Sequence, residues 1–132
     1  MLFVIFVVIL AVHPSPVTAQ SWCTFTPVTI SPPAPTSASF TTGGVCCIVI
    51  TIHCECSYVP GQNCDAWIED SNGNIVWGPY SWSCIGHCIG PSYVCLWNAD
   101  TYKIKSSYLC DATTVTVAPA PANTQECINC HP

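Results

Sequence analysis

Residues 45–57 read VCCIVITIHCECS, and their apolar side chains recur with a period of two. The apolar face consists of the even positions Cys46, Ile48, Ile50, Ile52, Cys54 and Cys56. The odd positions turn polar from Thr51 onward. This alternation is typical of a β-strand with one buried face. A helix would need a period of 3.6 and better helix formers than Val, Ile, Thr and Cys.

The pattern extends along the chain on both sides of this strand. Further strands are predicted around 24–30 and at 65–70, 75–82, 92–97, 101–109 and 113–118. They are short, separated by turn residues, and accompanied by no convincing helix. Such spacing predicts an all-β fold, a single antiparallel β-sandwich of about seven strands.

One hairpin can be predicted in register. Asn72-Gly73 stands between two apolar runs, and this dipeptide favours a type I′ turn because both central residues then need a positive φ. With the dipeptide at the tip, Asp70 would face Ile75 and Ile68 would face Trp77.

Composition divides the chain of 132 residues into four segments. Residues 1–19 open with an apolar run that is too short to span a membrane and end in the small-residue pattern of a cleaved signal peptide. Residues 20–42 are rich in Ser, Thr and Pro, with a possible first strand. Residues 43–118 form the predicted disulfide-rich sandwich, and residues 119–132 form a Pro/Ala linker with a cysteine-containing tail.

The twelve cysteines indicate that the protein works in an oxidising, extracellular compartment. All follow the predicted cleavage site, and such density in a small chain is typical of a secreted disulfide scaffold. The disulfide candidates are Cys23, Cys46, Cys47, Cys54, Cys56, Cys64, Cys84, Cys88, Cys95, Cys110, Cys127 and Cys130. Their pairing cannot be deduced from sequence.

Charge is scarce, and this excludes some partners. The chain has two Lys, no Arg and a formal net charge of −5. Nucleic-acid binding needs basic residues to neutralise phosphates, so we expect no such partner. We also expect no stable membrane insertion once the signal peptide is removed.

The segment from Asn98 reads NADTYKIK and is followed by TTVTV from Thr113. This pair of strands resembles the end of immunoglobulin-like and fibronectin-type-III-like extracellular domains. Asp100-x-Tyr102 is similar to their tyrosine corner, in which a Tyr hydroxyl hydrogen-bonds back to the chain. The resemblance implies an immunoglobulin-like sandwich over residues 45–118. Ile104 stands where an immunoglobulin domain has its second core cysteine.

The tail ends in Cys127-Ile-Asn-Cys130-His131. C-x-x-C-H is the attachment pattern of c-type haem, with His as the axial ligand. Disulfides that fasten the tail explain the same residues without a cofactor, and we favour this interpretation. A small c-type cytochrome with covalent haem is therefore an alternative only.

Two further motifs resemble metal sites, one for zinc and one for calcium. His53 and Cys54 lie on opposite faces of the predicted strand, so they cannot join Cys56 around one zinc ion without a bulge. The run from Asp70 to Asn74 resembles the start of a calcium loop, but Ile75 stands where such a loop needs Gly. We therefore predict no metal site and no required cofactor.

Four aromatic residues are candidates for binding: Trp67, Trp77, Trp82 and Tyr80. Trp67 shares the polar face of its strand with Asp65 and Glu69, so it is either exposed, covered by another chain, or packed under the loop at 79–92. No catalytic constellation stands out. We expect a secreted, non-enzymatic structural or adhesive protein of an extracellular coat, matrix or filament. Its partners would be itself, other extracellular proteins or glycans. A carbohydrate- or protein-binding module is the alternative.

Overall fold

The computed structural model describes residues 23–33, 35–54, 63–83 and 90–132, which form an all-β structure. The strands are β1 Val28–Ile30, β2 Thr36–Thr42, β3 Cys46–Cys54, β4 Asn63–Glu69, β5 Ile75–Ser83, β6 Ser92–Leu96, β7 Asp100–Ser106 and β8 Thr113–Pro119. One turn of 3₁₀ helix, Gln125–Cys127, follows in the tail. No helix in these ranges is long and apolar enough to cross a membrane. The predicted signal peptide and Cys56, Cys84 and Cys88 lie outside the described residues.

The strands form two four-stranded antiparallel sheets. The first sheet has the order β1-β8-β3-β6 and the second the order β2-β7-β4-β5. β1 packs across the sandwich against β2 and β7. The last strand, β8, lies between β1 and β3, in the same sheet as the first strand. In an immunoglobulin domain the last strand lies in the sheet opposite the first strand, beside strand F. The predicted two-sheet architecture is confirmed, and the order of the strands differs from that of an immunoglobulin domain.

β3 confirms the alternation found in the sequence. Ile48 and Ile50 are buried, and Thr51 and His53 on the other face are exposed. Val117 of β8 pairs with Ile50 and is itself fully buried. Each such aliphatic side chain contributes roughly 1.5–3 kcal/mol when removed from water. The core therefore lies between the inner faces of β3 and β8 and those of β4 and β7.

β2 is an eighth strand within the segment 20–42, where only one possible strand was predicted. Phe40 is its only large side chain, and its ring stacks on Phe25 and Tyr102, with centroids 4.8 and 5.7 Å away. The other residues of β2 are Ser, Thr and Ala. Small side chains give only a weak hydrophobic alternation, so the sequence predicts a polar segment here and not a second strand.

The hairpin of β4 and β5 is present, but its turn differs from the prediction. Ile68 faces Trp77 as predicted, whereas Ile75 faces Glu69. The backbone amide of Asp70 donates a hydrogen bond of 2.9 Å to the carbonyl oxygen of Asn74. Gly73 has a positive φ of 82° and Asn72 does not, so the turn is not type I′. A register shift within the hairpin accounts for the different partner of Ile75.

Tyr102 ties the start of β7 to the preceding turn. Its hydroxyl donates to the carbonyl of Asn98 at 2.8 Å, and the hydroxyl of Thr42 donates to the same carbonyl at 3.0 Å. Both donors are buried. The hydrogen bond back to the chain that Asp100-x-Tyr102 implies is therefore formed, and it joins the ends of β2 and β7.

Candidate functional site

Trp67 lies at the centre of the outer face of the second sheet. The neighbouring residues Ala66 and Ile68 are fully buried, so Trp67 points away from the core together with Asp65 and Glu69. Its direct partner on β7 is Lys105. The pleat thus places an indole, a carboxylate and an ammonium group side by side on one surface.

Two contacts hold the Trp67 indole, and a third joins the two charged side chains that make them. Trp67 Nε1 donates to Glu69 Oε1 at 2.8 Å, and Lys105 Nζ donates to Glu69 Oε2 at 3.2 Å. Lys105 Nζ also lies 5.9 Å from the centroid of the Trp67 ring, within the range of a cation–π contact. We call Trp67, Glu69 and Lys105 the Trp67 platform. Its three side chains form a closed set of contacts, so the ring is preorganised rather than free to rotate.

The platform also gathers the basic charge of the chain. Lys103 pairs with Glu69 across the sheet, and Lys103 and Lys105 are the only Lys or Arg residues in the sequence. The hydrogen bond from Trp67, followed by that from Lys105, holds the pKa of Glu69 below its ordinary value. Glu69 is therefore ionised at neutral pH and accepts both donors as a carboxylate.

Asp65 fixes the next part of the same face. Its Oδ1 accepts hydrogen bonds from the amides of Ser107 (2.7 Å) and Tyr108 (3.1 Å) and from the hydroxyl of Ser106 (3.1 Å). Its Oδ2 accepts the hydroxyl of Ser107. Partial burial raises the pKa of Asp65, but these hydrogen bonds outweigh it, so the pKa lies below its ordinary value. The carboxylate thereby locks the turn after β7 against β4.

The other three aromatic candidates do not join this surface. Trp77 and Trp82 are buried, with exposed fractions of 8% and 6%, so they belong to the core. Their burial leaves no ring face for a ligand. Tyr80 is half-exposed, but it faces Ala66 across the hairpin and so lies on the core side of β5, against Trp77. The predicted set therefore separates into one surface Trp, two core Trp and one edge Tyr. The alternative in which Trp67 packs under the loop at 79–92 involves residues 84–89, which lie outside the described ranges.

Eight cysteines of the described ranges form four disulfides: Cys23–Cys46, Cys47–Cys127, Cys64–Cys110 and Cys95–Cys130. Cys47 and Cys95 stand directly opposite each other on β3 and β6. The two cysteines of the tail therefore fasten it to adjacent positions of one sheet. Cys54 is half-buried at the end of β3.

These pairings bear on the cofactor and metal motifs. Both sulfurs of the C-x-x-C-H motif are bonded to Cys47 and Cys95, so none remains for a thioether bond to haem. His131 is exposed beside them. In the calcium-like run, Asp70 Oδ1 accepts the amides of Asn72 and Asn74 at 2.9 and 2.8 Å, which is turn chemistry. The described ranges contain no group of three or more side chains placed to hold a metal ion.

A cleft of about 480 Å³ lies between the tail and the first sheet. Its walls are the disulfide cysteines Cys47 and Cys127, the Pro/Ala linker and Ile128. All the cysteines of the lining are in disulfides, so His131 is its only ionisable side chain. The cleft therefore has a mainly apolar lining, and its polar side chains are Asn123, Thr124, Gln125 and His131.

A comparison with known protein families, curated proteins and solved structures finds no match. The sequence placed Trp67 and Glu69 on one face. It did not connect them to Lys105, because a partner strand 36 residues away along the chain is not marked by any local signal.

Proposed function

We propose that this chain is a secreted, non-enzymatic, disulfide-stabilised protein that serves as a structural or adhesive subunit outside the cell. The observation that carries the proposal is the set of four disulfides, which cross-link strands and fasten the tail. Disulfides persist in oxidising compartments, and a dense set lets a small domain withstand harsh surroundings. The scarcity of charge favours a surface that other molecules cover.

The proposal includes an immunoglobulin-like or fibronectin-type-III-like relationship. The two antiparallel sheets and the hydrogen bond from Tyr102 to Asn98 support it. The position of β8 between β1 and β3 is the feature that departs from those domains.

Secretion and assembly can be tested on one preparation of the full chain. Expression in a secreting cell should deliver protein to the medium that begins at Gln20. Mass spectrometry with and without reduction then counts the disulfides. Light scattering should show association that increases with protein concentration, and binding to extracellular matrix material should be measured in parallel. A chain retained in the cytosol, or one that is monomeric and adheres to nothing, overturns the proposal.

A second candidate function, a carbohydrate- or protein-binding module, is favoured by the Trp67 platform. A preorganised indole beside an ammonium and a carboxylate offers a stacking surface with a hydrogen-bond donor and an acceptor, as recognition of a sugar ring or a partner side chain requires. The fixed ring would lose little conformational freedom on binding.

The chain offers a matched control for this second function. We predict that Trp67→Ala abolishes saturable binding on a glycan or protein array, whereas Trp97→Ala retains it. Trp97 is the more exposed indole, at 58%, and lies outside the platform. Circular dichroism of both variants verifies folding. Equal binding by the two variants would rule out the platform as the binding site.

A further inference from the structure

A β-sandwich has edges, and this one has four, formed by β1 and β6 in the first sheet and β2 and β5 in the second. The outer side of an edge strand carries backbone N–H and C=O groups that can pair with another strand. Natural proteins usually blunt such edges with short strands, bulges, proline, charge or a covering segment.

Three of the four edges are blunted in this way. β1 has only three residues. β5 has a register irregularity opposite β4, and Pro79 interrupts its donors. β6 lies against the 3₁₀ turn of the tail, which the Cys95–Cys130 disulfide holds there.

β2 is different. It pairs with β7 in unbroken register over seven residues, from Thr36 opposite Ser106 to Thr42 opposite Asp100. It contains no charged residue and no proline. Within the described ranges, no strand pairs with its other side. A regular, uncharged edge of this length is the type that accepts an added strand.

The sequence of β2 is complementary to itself in the antiparallel sense. A two-fold axis through Ser39 places Ser39 opposite its own copy, Ser37 opposite Thr41, and Ala38 opposite Phe40. The outer face would then pair hydroxyl with hydroxyl, and the inner face would pair a small side chain with a large one. Neither face brings like charges together.

The nearest charges are far enough apart to permit this contact. Asp100, Lys103 and Lys105 lie one strand further in, on β7. In a continuous sheet they would be separated from their copies by at least three strand spacings, about 14 Å, which is the value for Lys103 opposite Ser39. This exceeds the Debye length of about 8 Å at physiological ionic strength, so their repulsion is largely screened.

We propose that two copies of this chain join through antiparallel pairing of β2 with β2, which makes one continuous eight-stranded sheet. The inference rests on the proposed structural function and names the partner as a second copy. It also places two Trp67 platforms on the same face. They are about 24 Å apart across five strand spacings and offset by about 14 Å along the strands, so about 28 Å apart in all. A ligand with repeated units could therefore occupy both at once.

The test changes the residue on the two-fold axis. Ser39→Lys and Ser39→Asp each put like charges opposite one another, and each should raise the dimer Kd by about a hundredfold or more. Mixing the two variants should restore association as a heterodimer, because Lys then faces Asp. Ser83→Lys is the matched control on the opposite edge strand of the same sheet, and it should associate like the unaltered chain. Ser39 and Ser83 are both exposed. Ser39 pairs with Lys103 on β7, so Ser39→Lys also places two ammonium groups opposite each other within one chain, and circular dichroism must show that this variant folds like the unaltered chain.

Sedimentation velocity over a wide range of protein concentration gives the readout. The inference is supported by an unaltered chain that dimerises, two monomeric variants and a heterodimer in their mixture. A Ser39→Lys variant that dimerises as tightly as the unaltered chain overturns the β2 contact, while the structural function stands with another interface. An unaltered chain that stays monomeric overturns it too, and the parallel adhesion measurement then decides the proposed function separately.

Discussion

Replacing Asp65 with Asn is expected to lower the free energy of unfolding by about 1–2 kcal/mol at neutral pH. The variant keeps an amide oxygen where Oδ1 accepts three hydrogen bonds, from Ser106, Ser107 and Tyr108. These three bonds lose their charge assistance, and the fourth bond, from the Ser107 hydroxyl to Oδ2, must reverse because the side-chain nitrogen of Asn donates. A hydrogen bond to a charged group contributes roughly 1 kcal/mol more than a neutral one. The sum over three bonds is reduced because the site is partly open to water.

The stability difference between the original chain and Asp65→Asn should depend on pH. The folded-state pKa of Asp65 is lower than the ordinary value that its carboxyl has in the unfolded chain. Its carboxylate therefore contributes stability above that value, and the contribution is lost as the pH falls through the folded-state pKa. The difference between the original chain and Asp65→Asn should accordingly shrink toward zero in strong acid, where both carry a neutral side chain.

Urea unfolding of the disulfide-intact chain, followed by Trp fluorescence at neutral and strongly acidic pH, measures both quantities. Asp111→Asn is the control for loss of one exposed negative charge, and it should change stability by less than about 0.5 kcal/mol. A cost for Asp65→Asn that persists unchanged in acid would refute the reasoning, since it would then come from shape and not from charge.

Two further predictions concern the backbone and the tail. Gly78→Ala should destabilise the chain by about 2–4 kcal/mol in thermal unfolding, because φ is +81° and the new Cβ would lie 2.8 Å from the carbonyl oxygen of Ala66. Gly73→Ala, with a similar φ and no atom within 4 Å, should show only the backbone part, about 1–2 kcal/mol; equal losses would contradict the close contact. Cys47→Ala combined with Cys127→Ala should cost about 2–4 kcal/mol by the same measurement, since the bridge closes a long loop. Cys95–Cys130 should still hold the tail, so a loss of all tail protection in hydrogen exchange would show that the two bridges do not act separately.

The parts of the fold that the sequence predicted are those with strong local patterns. β3 alternates between large aliphatic residues and polar ones, so its buried face could be identified from period alone. β8 behaves in the same way, with Val115 and Val117 buried between half-buried threonines. In both strands, local pattern and burial agree because each side chain is either clearly apolar or clearly polar.

The parts that could not be predicted depend on contacts between distant residues. β2 has one large side chain, and its place beside β7 is fixed by tertiary packing of Phe40. The Cys47–Cys127 pairing spans 80 residues, and no spacing rule selects it from the alternatives. The turn after β4 is set by the Asp70 carboxylate, which competes with the type I′ geometry that Asn72-Gly73 favours.

The pattern of disulfides has a consequence for a protein exposed to proteases. Cys23–Cys46 closes a loop over residues 23–46, Cys47–Cys127 closes a loop over residues 47–127, and Cys95–Cys130 extends past the end of the second loop. A single cut at any peptide bond from Cys23 to Cys130 therefore leaves both pieces covalently joined, except at the bond between Cys46 and Cys47. That bond connects two buried residues at the start of β3. A nicked molecule thus remains one covalent particle until a reductant reaches it.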